Sequence, residues 1–438
     1  MSRLAARAVL RGLEGLESGR LELELPDGSV RRFGGDGASR RPEEGDDAPE
    51  AAIRVRDWRF FRRTLFRGQV GAGDAYIRGE WDADRPAALV ELAARNRGAF
   101  RRAAPLAWIG GAVDRLRHFL RANTRSGARR NIHAHYDLGD AFFASFLDPS
   151  MAYSCALFEE APGDGGGGGR SLEEAQRAKH RRMADRVGLQ PGDHVLDVGC
   201  GWGAFAEYAA RERGCRVTGI TISRKQLEYA RRRMERAGVG DRVEILDRDY
   251  RDLGGESYDG VVSIEMLEAV GHRYLPDFFE ACDRALRPGG RAALQVITVP
   301  DQKYGLYRLG TDYIRRFVFP GSHLPSLGAL VEAMAERTSF QVRDVDSLAP
   351  HYAETLRRWR RRFERTHGEG RGDRRGHDGR EPGNKRRDID RELYRLWRFY
   401  LSYCEGGFRA REIDDLQITL ARPARAGGAA AVGPGCPS

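Results

Sequence analysis

A glycine-rich segment near the middle of the chain carries the clearest chemical signal. It reads Val195-Leu-Asp-Val-Gly-Cys-Gly-Trp-Gly203, with a strand-like run before it and a helical pattern after it. Without side chains at Gly199, Gly201 and Gly203 the backbone can approach a ligand closely, and the start of a helix offers unpaired N–H groups. The segment therefore predicts a ligand site at a strand-to-helix turn, with Asp197 at the end of the strand.

The order Asp-x-Gly-x-Gly-x-Gly resembles the S-adenosylmethionine (SAM) site of class I methyltransferases. A dinucleotide-binding motif fits less well, because the final glycine comes one residue early. Many of these methyltransferases place an acidic residue for the ribose hydroxyls after the second strand. Thr221 and Gln226 stand there instead, and their hydroxyl and amide groups can make the same hydrogen bonds without charge. Asp249 and Tyr250 would flank the adenine, although Tyr250 could simply pack in the core.

Alternating strands and helices must position these residues. The hydrophobic pattern predicts strands at 194–199, 216–220, 243–246, 258–264 and 291–297, helices at 204–213, 225–237 and 275–286, and a turn at Arg287-Pro-Gly-Gly. A helix at 391–404 and a strand at 417–420 close the region. Repeated strand–helix units imply a parallel sheet that is covered on both faces.

The first part of the chain has a different pattern. Residues 20–30 alternate apolar and polar side chains around a Pro-Asp-Gly turn, which predicts a hairpin. A loop at 34–50 and an aromatic, apolar stretch at 53–98 follow. Residues 100–130 form an arginine-rich amphipathic pattern, which fits either a packed linker helix or a membrane-surface contact. Two glycine-rich stretches, 165–169 and 368–387, and the tail 424–438 are predicted to be loops or disordered segments.

Composition limits the class of protein. The 438 residues carry 74 Lys and Arg against 64 Asp and Glu, a net charge of +10, which favours anionic partners such as phospholipid or nucleic acid unless the arginines are only solvated surface. No run of about 18 uncharged apolar residues predicts a membrane-spanning helix, and residues 1–17 lack the apolar core of a secretory signal. The six cysteines form no Cys-x-x-Cys pair, so neither a metal site nor a disulfide framework is expected. A reduced, cytoplasmic protein is the expectation.

Dispersed segments across residues 131–420 resemble one family, the cyclopropane-fatty-acyl-phospholipid synthases and the related mycolic acid methyltransferases. The matching segments, besides the glycine turn, are 133–143, 151–158, 263–272, 313–326, 351–356 and 403–409. Residues 53–98 look like the smaller N-terminal domain of the phospholipid-acting members.

The resemblance implies an α/β fold: a class I SAM-dependent methyltransferase with a Rossmann-like seven-stranded sheet and a smaller N-terminal α+β domain. The expected domains are an N-terminal lipid-associated domain at 1–120, the methyltransferase domain at 121–423, and a disordered tail at 424–438.

The resemblance also implies a reaction. The SAM methyl group goes to the cis double bond of an unsaturated phospholipid acyl chain, and the resulting carbocation loses a proton and closes a cyclopropane ring. Aromatic faces suit a cation, which gives Tyr136, Tyr153 and Phe158 a purpose. The family uses bound bicarbonate as the base, and the residues carried over to its pocket are the Cys155 backbone, Glu268, Tyr352 and Cys404. Tyr153 and Ser154 are assigned to the cofactor site.

One position departs from the family pattern. Many members have a histidine on the strand after the Pro-Gly-Gly turn, where this chain has Gln295. Glutamine can donate a hydrogen bond to an anion but cannot titrate near neutral pH. The same cation could therefore end as a methylene branch instead of a ring.

The residues also allow different classes of protein and different roles. A methyltransferase acting on nucleic acid or on a small molecule would share the glycine turn, and a lipid-binding protein without turnover would share the fold. Cys155 and Cys404 could be small buried residues, and His133 and His135 could cap or pack rather than bind near SAM. Glu265 and Glu268 would lie one turn apart if their segment were helical.

The expected partners are an unsaturated phospholipid and the inner membrane surface, without nucleic acid, and a homodimer is left open. The substrate double bond lies in the middle of a bilayer and no spanning helix is predicted. The protein must therefore dock peripherally, through segment 100–130 or through the aromatic N-terminal domain.

Overall fold

A computed structural model describes residues 2–34, 48–106, 138–158, 170–368 and 389–424. The chain divides into two compact units. Unit 1 comprises Met1–Gln176, Ile297–Ser326 and Leu348–Asp415, and unit 2 comprises Arg177–Val296, Leu327–Ser347 and Leu416–Ser438. The domain boundary predicted near residue 120 falls outside the described residues and stays a prediction, as do the predicted loops and tail at 165–169, 369–387 and 425–438.

A seven-stranded sheet forms the framework of unit 2. Its strands are β5 (His194–Val198), β6 (Arg216–Thr221), β7 (Val243–Asp247), β8 (Tyr258–Ile264), β9 (Leu286–Thr298), β10 (Gln341–Ser347) and β11 (Asp414–Ala421), in the order β10-β11-β9-β8-β5-β6-β7. Strands β9-β8-β5-β6-β7 pair in parallel, and β10 pairs antiparallel with β11. The helices are α6 (Leu172–Val187), α7 (Ala204–Arg213), α8 (Arg224–Arg236), α9 (Leu275–Ala285) and α11 (Leu327–Arg337). The predicted parallel α/β sheet is confirmed.

Alternate residues of each central strand enter different hydrophobic clusters. Val195 packs in a cluster with Phe205 of α7, whereas its neighbour Leu196 packs in a cluster with Phe278 of α9. Because side chains alternate across a strand, these two clusters occupy opposite faces of the sheet. Such burial on both faces explains the near-continuous apolar runs in the sequence.

Unit 1 contains a four-stranded sheet of order β2-β1-β3-β4. Its strands are β1 (Arg20–Glu24), β2 (Val30–Gly34), β3 (Glu50–Val55) and β4 (Trp81–Ala83). The antiparallel β1–β2 pair confirms the predicted hairpin. The helices are α1 (Ser2–Leu13), α2 (Arg59–Ile77), α3 (Pro86–Arg95), α4 (Arg97–Ala103), α5 (Asp140–Ala144), α10 (Asp301–Leu309), α12 (Ala349–His367) and α13 (Arg391–Arg409), with a short π-helix at Ile314–Val318.

Two local predictions were wrong. The Arg287-Pro-Gly-Gly turn belongs to β9, because Gly289 and Gly290 exchange backbone hydrogen bonds with Arg422 beyond the end of β11. Helix α13 continues past Cys404 to Arg409, so the matched segment 403–409 is the last part of a helix. Both corrections come from long-range pairing or packing that local sequence does not contain.

Candidate active site

The glycine turn between β5 and α7 has the geometry that its sequence requires. Gly199, Gly201 and Gly203 have φ of +83°, +54° and +82°, a region that other residues rarely adopt. A Cβ on Gly199 would lie 2.6 Å from the side chain of Met266, so this glycine permits close packing. A Cβ on Gly201 would meet nothing within 4 Å, so the backbone there faces open space. A cofactor could approach the main chain at that point.

Asp197 lies beside this turn as a buried carboxylate. Its Oδ2 atom has no hydrogen-bond partner among the described residues. Burial raises the pKa of Asp197 to about 7, and the positive charge of Lys179 opposes the rise. A buried acceptor without a partner fits a ligand that brings hydrogen-bond donors or positive charge, and SAM brings both.

Thr221 and Gln226 are brought together at the end of β6. The Thr221 hydroxyl donates to Gln226 Oε1 over 3.2 Å, and both residues are buried. Ser223 caps α8 by accepting from the Gln226 backbone N–H. The cap fixes the position of Gln226 relative to the strand end. Their assignment to the ribose stays a prediction.

Asp249 and Tyr250 are held by neighbours of their own. The Asp249 carboxylate accepts from Arg251 Nε over 2.8 Å and from Arg251 Nη2 over 2.6 Å, a bidentate pair. The Tyr250 ring lies in a hydrophobic cluster, 5.5 Å from the ring of Phe278, and burial raises the pKa of its hydroxyl. Packing therefore accounts for most of the Tyr250 ring, and a contact with adenine stays a prediction for both residues.

Gln295 is fully buried on β9 and bridges two side chains of unit 2. Its Nε2 donates to Glu265 Oε1 over 2.9 Å, and its Oε1 accepts from Gln417 Nε2 over 3.0 Å. Register places Gln295 opposite Ile264 on β8, so Glu265 follows directly. The side-chain amide of Gln295 is thus fixed at both ends by hydrogen bonds.

Glu265 and Glu268 do not share a regular helix. Glu265 has φ of +50° at the end of β8, and Glu268 lies in a single 3₁₀ turn, Leu267–Ala269. The condition for a one-turn helical spacing is therefore not met, because the chain leaves the strand through a left-handed residue. A non-glycine residue with this φ is uncommon and often marks a functional site.

Four predicted site residues of unit 1 lie in the segment 151–158. The Tyr153 hydroxyl is 2.9 Å from the Tyr400 hydroxyl, and Gln176 Nε2 donates to the Ser154 carbonyl over 2.8 Å. The Cys155 thiol is fully buried and donates to the Ala156 carbonyl over 3.2 Å. Phe158 is buried with the Arg358 guanidinium 4.5 Å above its ring. Side chains from other elements of unit 1 therefore hold the segment in place.

Two further predicted residues of unit 1 lie on its long helices, Tyr352 on α12 and Cys404 on α13. The Tyr352 ring stacks on Phe408 of α13 at 4.4 Å. Burial raises the pKa of the Cys404 thiol, so this thiol stays protonated at neutral pH. Cys404 is accordingly a weak nucleophile.

Two residues beside the candidate site were not predicted from the sequence. Lys179 is fully buried and acts on the pKa of Asp197. It is one of only four lysines among 74 cations, and that rarity was the available signal. Gln417 was missed because its partner Gln295 is 122 positions away. The predicted residues His133, His135 and Tyr136 lie outside the described residues.

Comparisons with known proteins agree with this architecture. A family model described as mycolic acid cyclopropane synthetase matches residues 123–418. Tuberculostearic acid methyltransferase UfaA1 from Mycobacterium tuberculosis is 39% identical over 363 residues, which are 82% of this chain and 81% of that protein. Cyclopropane-fatty-acyl-phospholipid synthase from Escherichia coli (strain K12) is 31% identical over 414 residues, 92% and 96% of the two chains.

Solved structures give the same result. The cyclopropane synthase MmaA2 from Mycobacterium tuberculosis aligns with a TM-score of 0.56 and 32% identity, over 67% of this chain and 98% of its own. The mycolic acid cyclopropane synthase CmaA1, complexed with SAH and CTAB, aligns with a TM-score of 0.55 and 31% identity over the same shares.

The seven-stranded sheet and the glycine turn define a class I SAM-dependent methyltransferase. Within that class, the chain belongs to the mycolic acid cyclopropane synthetase family. In the described part of the chain, none of the helices is long and apolar enough to cross a membrane.

Proposed function

We propose that this enzyme transfers a one-carbon unit from SAM to the cis double bond of unsaturated phospholipid acyl chains. The observation that carries the proposal is the nearly end-to-end match to a cyclopropane-fatty-acyl-phospholipid synthase, 92% of this chain against 96% of the relative. The alignment with this relative also covers residues that precede position 123, where the match to the family model begins. That region resembles the domain of phospholipid-acting members, which supports a phospholipid substrate.

The cofactor proposal rests on the turn after β5. The open space at Gly201 and the Oδ2 atom of Asp197 suit SAM, whose amino group and main-chain contacts would lie there. Thr221 and Gln226 would bind the ribose, Asp249 and Tyr250 the adenine side, and Tyr153 and Ser154 the remaining part. When bound, SAM supplies the electrophilic methyl group.

The protein's own task differs from that of an acyl-transfer enzyme. An alkene has no proton to lose before it attacks, so no activated nucleophile is needed, and the protonated Cys404 thiol agrees with this. The chain must instead orient the double bond, exclude water and surround a cation with apolar or aromatic faces. Tyr153 and Phe158 supply aromatic faces in this proposal.

Bicarbonate is the proposed base, and it would supply an acceptor for one proton of the added methyl group. The Cys155 backbone and the Tyr352 hydroxyl are donors that suit an anion, and Glu268 would orient it through a shared proton. Gln295 fits this role less well, because Glu265 and Gln417 already bind its amide. We assign Gln295 to positioning rather than to proton transfer.

A second product has a specific observation in its favour. The fixed, non-titrating Gln295 amide stands where many members have histidine, and the relative at 39% identity is a tuberculostearic acid methyltransferase. After methyl transfer, a hydride shift would move the cation to the methyl-bearing carbon. Loss of a methyl proton would then leave an exocyclic methylene group, with atoms and charge balanced. A saturated methyl branch would need an added reductant.

The same proposal includes location and assembly. The enzyme works at the cytoplasmic face of the membrane as a peripheral protein, since its substrate double bond lies within a bilayer. The N-terminal domain at 1–120 would associate with lipid, the domain at 121–423 would carry the chemistry, and a homodimer is an assembly open to test.

The experiment compares products by proton NMR after incubation of purified enzyme with SAM and vesicles of monounsaturated phosphatidylglycerol. Upfield ring protons support cyclopropanation, and vinylidene protons support the methylene product. SAM consumption that occurs only with RNA or DNA, together with salt-sensitive binding, would overturn both. SAM binding without any turnover would indicate a lipid-binding protein instead.

A further inference from the structure

Helix α10, Asp301–Leu309, exposes its leucines and turns its tyrosines inward. Leu306 is 80% exposed and Leu309 is 63% exposed, and they lie one helical turn apart. Among the described large apolar residues only Leu4, at 67%, is comparably exposed. A helix on the surface of a protein in water normally has the opposite arrangement.

The inner face of α10 is firmly held, so the exposure is not a sign of a loose helix. The Tyr304 hydroxyl is 2.9 Å from His323 Nε2, and the Tyr307 hydroxyl accepts from the Leu324 backbone over 3.2 Å. The buried Arg315 guanidinium lies 3.9 Å from the centre of the Tyr307 ring. These contacts fix which face of the helix points outward.

The outward face is flat between its leucines and bordered by positive charge. A Cβ on Gly305 would meet nothing within 4 Å. Arg308 is exposed between the two leucines in sequence, with its guanidinium near the ring of Tyr304. At the first turn, Lys303 and Arg97 both pair with the single carboxylate of Glu412, and the exposed Asp301 balances the remaining charge, so the positive border consists of Arg308 and the neighbouring arginines of α4.

That shared ion pair links α10 to the basic helix α4. Arg97 is the first residue of α4, and Arg101 and Arg102 on the same helix are exposed. Helix α4 is the described beginning of the arginine-rich region that the sequence analysis connects with a membrane surface. Exposed leucines suit the acyl boundary of a bilayer, and the arginines beside them suit the phosphate groups of anionic lipids at its surface.

From this arrangement we propose that the outer face of α10 inserts Leu306 and Leu309 into anionic phospholipid bilayers, with Arg308 and the α4 arginines at the phosphate level. The proposal rests on the proposed function, since it names the surface through which the enzyme reaches a membrane lipid. It assigns the insertion to a helix that the sequence alone did not mark.

The test uses the full chain and vesicles of phosphatidylglycerol and phosphatidylcholine in equal parts. Cosedimentation should show at least a tenfold weaker partition coefficient for the double variant Leu306→Gln and Leu309→Gln. Val331→Gln, an exposed apolar residue on α11 outside the N-terminal domain, should bind as the wild type does. Arg308→Glu should weaken binding at low salt, and the difference should shrink at high salt. Unchanged vesicle binding in the double variant, or an equal loss in Val331→Gln, overturns the proposal.

Two further measurements separate this proposal from others. The double variant should keep its thermal unfolding midpoint and its SAM affinity, and a lower midpoint would show that the chain itself covers this face, which overturns the proposal. Turnover of detergent-dispersed unsaturated phospholipid should equal that of the wild type. If neither protein turns over the dispersed lipid but only the wild type binds vesicles, the surface assignment holds and the proposed function fails.

Discussion

The side-chain amide of Gln295 donates to Oε1 of Glu265 over 2.9 Å, at the point where β8 ends in a left-handed residue. Gln417 completes the chain of hydrogen bonds by donating to Gln295 Oε1. Burial makes these bonds valuable, because a buried polar atom that loses its partner keeps its desolvation penalty. The arrangement anchors the side chain of Glu265, whose backbone φ of +50° is uncommon for a residue other than glycine.

Replacing Gln295 with leucine should therefore be costly. We expect Gln295→Leu to lower the free energy of unfolding by about 3 kcal/mol, since the buried Gln417 and the partly buried Glu265 each lose a hydrogen bond, at about 1–3 kcal/mol for a buried partner. Urea unfolding measures the change. Gln341→Leu on β10 is the matched control, because Gln341 is exposed and its loss should cost no more than about 0.5 kcal/mol. Equal stabilities of the two variants would contradict the structural role of Gln295.

Asp197 should make stability depend on pH in a defined direction. Its pKa rises from 3.8 to about 7 on folding, so the folded state binds the proton more tightly. The stability that the folded protein gains from binding this proton is fully present below pH 4 and is lost as pH rises through 7. At about 1.4 kcal/mol for each pKa unit, wild type should lose up to about 4 kcal/mol relative to Asp197→Asn over this interval.

Urea unfolding of the cofactor-free proteins at pH 5 and pH 8 checks this result. The stability difference between Asp197→Asn and wild type should increase with pH. A difference that does not change between the two pH values would show that Asp197 titrates normally. Bound SAM should reduce the pH effect in the wild type, because its positive charge favours the carboxylate.

Gly201 should matter more for SAM affinity than for stability. Gly201→Ala adds a methyl group to open space, so it carries only the cost of a left-handed backbone, about 1 kcal/mol. The same methyl group would occupy the space proposed for SAM, and we expect affinity to fall at least tenfold by calorimetry. Gly238→Ala is the matched control, with φ of +67° and equally open space after α8. Similar SAM affinities in both variants would place the cofactor elsewhere.

Tyr352 and Glu268 should affect turnover without affecting SAM binding. Tyr352→Phe keeps the ring stacked on Phe408 but removes the hydroxyl, and Glu268→Gln removes the ionisable oxygen. We expect both to lose almost all lipid product at unchanged SAM affinity. Tyr313→Phe is the control, because its hydroxyl donates to the Leu396 carbonyl and its loss should affect stability only. Full activity in either first variant would remove that residue from the reaction.

Sequence patterns predicted most of the sheet because they are local. Buried strands such as β5 and β8 are continuous apolar runs next to glycine-rich turns, and their bounds were found within a residue. The β1–β2 hairpin was visible for the same reason, through its Pro-Asp-Gly turn. The glycine turn after β5 could also be predicted, since Gly199, Gly201 and Gly203 lie between a strand-like run and a helical pattern.

The parts that sequence did not predict depend on register and on distant partners. The bridge from Glu265 through Gln295 to Gln417 exists only because β8, β9 and β11 align in one register. The Pro-Gly-Gly segment joined β9 because Arg422 pairs with it from far along the chain. The outward leucines of α10 likewise depend on the inward contacts of Tyr304 and Tyr307.

The most direct test of the central claim follows the methyl group itself. Purified enzyme is incubated with SAM that carries a fully deuterated methyl group and with vesicles of monounsaturated phospholipid, and the released fatty acids are analysed by mass spectrometry. The account predicts an acyl chain that gains one carbon with two of the three deuterium atoms, because one is lost as the cation is deprotonated. Deuterium that is absent from the acyl chain, or that appears as an intact methyl group on the head group, would contradict it.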